Sequence, residues 1–164
     1  MQMVLGEYFL WGAFAVLSLI ATVIDARTYK IPNWIVAAIA IAGLVYAGAF
    51  DTNNFFTHVI ISISFLALGF LLYQLIGLGA GDAKLLCAIG LWLQVSTLMT
   101  FLFLFGWACA LLVLVLIIGR RVTDKHHETP KQQVTMFTKD APVPLALAIG
   151  PAAMLVAVQQ VLAL

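Results

Sequence analysis

Two carboxylates stand out in a chain that is 64% hydrophobic and 9% charged. Asp25 closes a long apolar run. Asp82 stands in Gly77-Leu78-Gly79-Ala80-Gly81-Asp82-Ala83-Lys84, among three glycines and two residues before a lysine. Each has an ordinary reading: Asp25 as a solvated charge beside a membrane, Asp82 as an N-cap whose oxygen accepts a free helix N–H. Together they have another. Two carboxyls held close cannot both ionise easily, so one keeps a proton. The ionised partner can take a proton from water while the protonated one polarises a carbonyl. That is aspartic-protease chemistry, which uses neither a covalent intermediate nor a metal. Gly79 and Gly81 would let backbone and substrate come close to Asp82, although small residues also serve close packing between membrane helices. Lys84 could support a neighbouring carboxylate, hold a substrate carbonyl, or act as a positive anchor at the membrane face.

Other chemistries find less support. The glycines read G-x-G-x-G and follow an apolar span, so neither the dinucleotide fingerprint nor the P-loop fits. Cys87 and Cys109 lie in apolar runs and no C-x-x-C occurs, so neither a disulfide framework nor a metal site is expected. His58 stands alone and is expected to pack in the core. His126 and His127 are adjacent and would not share a helix face. No cofactor is expected. The net charge of +1 says nothing about nucleic acid, but no basic stripe with interleaved aromatics appears, and no nucleic-acid partner is expected.

The elements that position these residues follow from hydropathy. The mean hydropathy is +1.11, and about 20 apolar residues at 1.5 Å rise cross a bilayer core. Apolar runs at 5–24, 34–50, 55–76, 85–97, 98–119 and 142–163 predict an all-α membrane protein of about six transmembrane helices, with residues 1–164 forming one polytopic domain. The first 24 residues lack the basic start of a cleaved leader and read as a span. The run 85–119 is too long for one crossing and has only a faint break at 94–97. Charge decides the count: with two crossings there, Arg27, Lys30, Lys84, Arg120, Arg121, Lys125, Lys131 and Lys139 all face the cytoplasm. Both termini then lie outside, the fourth span is short or broken, and the loop 120–141 is cytoplasmic. Asp25 ends the first span and Asp82 opens the fourth, at the same face. Pro144, Gly150 and Pro151 predict a kinked or broken last span.

These residues resemble a known family. Gly79-Ala80-Gly81-Asp82-Ala83-Lys84 is similar to the G-x-G-D-x-K signature of prepilin peptidases, membrane aspartic proteases of the GxGD type. Asp25-Ala26-Arg27-Thr28-Tyr29-Lys30-Ile31-Pro32-Asn33 is similar to the other motif of that family, and residues 142–150 resemble its last span more loosely. The resemblance is expected to cover essentially the whole chain. It implies that Asp25 and Asp82 are the catalytic pair, with Gly79, Gly81, Lys84 and Pro144 shaping the site or binding substrate. It also implies a prepilin substrate cut at the cytoplasmic face of the inner membrane. Longer members carry two C-x-x-C pairs between the first two spans and methylate the new N-terminus. Here that loop, 25–33, has no cysteine, so methyltransferase activity is not expected, and the short form resembles the peptidases of tight-adherence (Flp-type) systems. Two other classes compete. Signal-peptide-peptidase or presenilin-like proteases carry Tyr-Asp and Pro-Ala-Leu, where this chain has Ile24-Asp25 and Pro144-Leu145-Ala146-Leu147. A small transporter could relay protons through the same carboxylates, but no internal repeat supports it.

Overall fold

The computed structural model describes residues 2–76, 79–124 and 145–163. All regular structure among them is helical: α1 (Gln2–Thr28), α2 (Asn33–Ala49), a 3₁₀ turn (Thr52–Asn54), α3 (Phe55–Ile76), α4 (Ala80–Gly90), α5 (Val95–Asp124) and α6 (Ala146–Ala163). Three stretches are long and apolar enough to cross a membrane: Leu5–Thr28, Thr52–Leu75 and Val95–Ile118. Each runs to about 36 Å, more than the ~30 Å of a hydrocarbon core. Large apolar side chains such as Phe9, Ile60, Phe70, Phe103 and Trp107 point outward. An all-round apolar helix of this kind belongs in lipid or deep in a core.

The helices share two ends. At one lie Asp25, Asn33, Asp82 and Ala146. At the other lie Tyr46, Asp51, His58 and Gln94. The segment 80–94 reaches from the first to the second, because Lys84 Nζ donates to Asn33 Oδ1 at 3.4 Å and Gln94 Nε2 donates to Asp51 Oδ2 at 2.7 Å. Eleven residues of α4 cover only about 16 Å, so the non-helical residues 91–94 complete the distance. The expected fourth span at 85–97 is thus corrected to a helix at 80–90 followed by an irregular connector.

The helix stops for a reason that lies on α2. The Trp92 indole donates to the Ile39 carbonyl at 3.0 Å. This approach depends on Gly43, where an added Cβ would stand 2.8 Å from both Trp92 Nε1 and Leu91 Cβ. Trp92 also stacks on Phe14 at 4.5 Å and on Tyr46 at 5.5 Å, with Trp11 at 5.0 Å. Irregular backbone is tolerated at membrane depth only where protein covers it, and Leu91, Trp92 and Leu93 are all buried. The Thr97 hydroxyl accepts the Gln94 N–H at 3.0 Å and so starts α5.

Three boundaries also shift. α1 continues three residues past Asp25, which shrinks the expected loop to residues 29–32. Pro32 is the N-cap of α2. α5 extends to Asp124, inside the expected loop 120–141. The remainder of that loop, with His126 and His127, lies outside the described residues, as does Pro144 of the expected last span. α6 keeps Pro151 within its helix. His58 is buried, as core packing requires, but it also bonds Asp51 Oδ2 through Nε2 at 3.0 Å.

Candidate functional site

Asp25 stands on the last turn of α1 and Asp82 on the first turn of α4. The two come together in one cleft of about 300 Å³, lined also by Tyr29, Ile31, Asn33, Gly79, Gly81 and Lys84. Asp25 is 5% exposed and Asp82 6%. Asp25 Oδ2 and Asp82 Oδ1 are both buried without a hydrogen-bond partner. Nearly all buried polar atoms in folded proteins are paired, so two orphaned carboxylate oxygens in one cleft call for a functional explanation.

The N-cap reading of Asp82 does not hold. Gly79 occupies that position, its carbonyl accepting the N–H of Asp82 at 3.0 Å and of Ala83 at 3.3 Å, and α4 has no side-chain cap. Asp82 is the third residue of the helix, with its side chain turned into the cleft. Gly79 has an ordinary φ of −61°, so its role is room: an added Cβ would meet Asp82 Oδ2 at 2.7 Å. Gly81 lines the cleft differently, since a Cβ there would meet only Ile31 at an ordinary 3.5 Å. Lys84 is exposed and reaches Asn33. Among the described residues no ion pair joins it to either aspartate, and it lines the cleft beside Asn33.

Three features were not foreseen. Tyr29, just past α1, has φ 53° and donates its N–H to the Asp25 carbonyl at 2.8 Å. Left-handed backbone costs a non-glycine residue about 1–2 kcal/mol. Here it turns the chain sharply enough to bring Ile31 and Asn33 onto the cleft wall. Second, α6 begins at Ala146, at the end of the bundle that holds both carboxyls. Third, the Thr22 hydroxyl lies 2.8 Å from the Ser18 carbonyl and 3.2 Å from the Ala146 carbonyl, which ties α1 to the start of α6. At Gly150 an added Cβ would run into the Thr22 hydroxyl, so α1 and α6 pack closely there. Tyr29 and Asn33 fall inside the stretch 25–33 that the sequence singles out. Thr22 and Ala146 carry no local signal. Among the described residues no cluster of three or more His, Cys, Asp or Glu side chains forms.

Residues 12–117 match the type IV leader peptidase family. That is a shorter stretch than the resemblance led one to expect, but it contains both aspartates, most of α1 and α5, and all of α2 to α4. No curated protein and no solved structure gives a significant match. With the family covering more than half of the chain and both motif aspartates meeting in one cleft, the chain belongs to the type IV leader peptidase family.

Proposed function

We propose that the protein is an aspartic endopeptidase that removes the leader of type IV or Flp-type prepilins at the cytoplasmic face of the inner membrane, with Asp25 and Asp82 as its catalytic pair. The observation that carries this reading is the pair of buried carboxylates on one cleft, each with an unpartnered oxygen. In the reaction one carboxylate is ionised and takes a proton from a water molecule. The other is protonated and hydrogen-bonds the scissile carbonyl. Water oxygen bonds to the carbonyl carbon, and the tetrahedral intermediate collapses as the C–N bond breaks. The leaving amine takes a proton from the pair, which returns to its starting state. Gly79 gives Asp82 room, Gly81 lines the cleft, and Lys84 with Asn33 forms its edge.

Residues 1–164 act as one polytopic unit that crosses the membrane six times, with residues 80–94 as the fourth crossing and both termini outside. Two observations favour this. Consecutive described segments alternate between the two ends of the bundle, and in the sequence the positive-inside rule favours this orientation. The connector at 29–32 has no room for a cysteine-rich insertion, so the enzyme cleaves without methylating.

The test is co-expression with a pilin precursor in a membrane host, following leader removal on a gel. Wild type should shorten the precursor. Asp25→Asn or Asp82→Asn should each lower the rate by about 10²–10⁴-fold or more with normal membrane insertion. Activity retained in either variant overturns the catalytic pair.

A further inference from the structure

α1 ends in a turn whose usual residue preference this chain does not follow. The N–H of Tyr29 bonds back to the Asp25 carbonyl at 2.8 Å, with φ at 53°. This is the left-handed helix stop, in which the first residue past the helix closes a bond to the carbonyl four positions back. Glycine fills that position most often and asparagine sometimes, because a Cβ is crowded there. Among the described residues Tyr29 is the one non-glycine residue with positive φ.

The backbone gives no reason for a tyrosine. The Thr28 hydroxyl lies 2.9 Å from the Ile24 carbonyl and 3.1 Å from that of Lys30, so it braces the turn whatever residue stands at 29. Packing gives no reason either. In such stops a large side chain at this position packs on an apolar one at the residue whose carbonyl is bound. Here that residue is Asp25, a buried carboxylate. The tyrosine is therefore kept, at a backbone cost, next to a group of the proposed catalytic pair. Strain held in this way gathers where ligands are clamped.

What the side chain can do follows from the cleft, which Tyr29 lines together with Asp25 and Asp82. Among the described lining residues it brings the only aromatic ring and the only hydroxyl. The other neutral polar side chain there, Asn33, has its Oδ1 engaged by Lys84. A peptide lying across the two carboxyls presents main-chain carbonyls. A phenol donates to a carbonyl without bringing a charge into the cleft. We propose that Tyr29 is a substrate-binding residue: its ring covers the peptide over the two aspartates, and its hydroxyl donates to a main-chain carbonyl beside the scissile bond. This rests on the peptidase reading and adds a contact that any peptide backbone can make, whatever its side chains.

The experiment measures kcat and KM of the full chain in detergent on a purified pilin precursor, beside the thermal melting of each variant. Tyr29→Gly and Tyr29→Asn relieve the backbone, so both should melt at or above the wild-type temperature. Both should nevertheless lose about 30-fold in kcat/KM, as when an aromatic anchor is removed from a binding site. Tyr29→Phe keeps the ring and should lose about 3–10-fold, mostly as a higher KM, for one missing hydrogen bond. A residue that only shaped the turn would give the reverse, with Tyr29→Gly and Tyr29→Asn equal to wild type or better in both readouts. Wild-type kcat/KM in Tyr29→Asn or in Tyr29→Phe overturns the assignment, and so does a loss of cleavage that tracks a lower melting temperature. In each of those outcomes wild type still cleaves, so the peptidase reading survives. If wild type leaves the precursor intact, both fall together.

Discussion

Asp82 could have been spent on capping its own helix, as aspartates near helix starts often are. Gly79 takes the cap position, and the carboxylate is left to face Asp25. The two motif glycines therefore differ in what they do, although the sequence presents them as equals. Gly79→Ala should cut cleavage by about 100-fold, the cost expected when a reacting group moves by about an ångström, with little change in thermal stability. Gly81→Ala should stay within a few-fold of wild type, because its Cβ finds ordinary space beside Ile31 and alanine suits a helix better than glycine by about 1 kcal/mol. Steady-state cleavage assays on both variants decide this, and equal losses would sink the distinction. The two aspartates were legible because ionisable groups are rare in so apolar a chain. Which glycine matters was not, since that depends on where one side-chain oxygen points.

The helices were legible as apolar runs, and their ends were not. Reading polarity stops α1 at Ile24, yet the helix continues to Thr28, whose hydroxyl donates to the Ile24 carbonyl at 2.9 Å. The break at 91–94 is invisible in Leu91-Trp92-Leu93 because its cause is a contact with Ile39 on another helix. α6 shows the same dependence on distant partners. Thr22 meets the carbonyl of its first residue across a sequence separation of 124 residues. Thr22→Val keeps the shape and removes the donor. It should cost about 1 kcal/mol of stability and lower kcat about tenfold with KM nearly unchanged, since the substrate contacts are elsewhere. A rise in KM at constant kcat would show that Thr22 acts on binding instead of on the placement of α6 against α1.

Across the whole molecule, the end opposite the cleft is tied by Asp51. It accepts hydrogen bonds from Asn54 at 2.8 Å and Gln94 at 2.7 Å and contacts His58 at 3.0 Å. Burial pushes the Asp51 carboxyl up, but these partners outweigh it and hold it below its ordinary value. A carboxyl lowered by folding contributes its full stability above its unfolded pKa, near 4, and loses it as pH falls through the folded value. Asp51→Asn in detergent should therefore lower stability by about 1–2 kcal/mol at pH 7, and the gap from wild type should close below about pH 4. A gap that persists in acid would exclude this origin. Mean hydropathy made the membrane class legible. The Asp51–His58 pairing was hidden because its two residues sit on either side of a helix start. The tie between Thr22 and Ala146 has a consequence in time. Ala146 follows Thr22 by 124 residues, about 6–25 seconds of synthesis at about 5–20 residues per second. A nascent chain that already holds both aspartates therefore packs α1 against α6 only when synthesis is nearly complete.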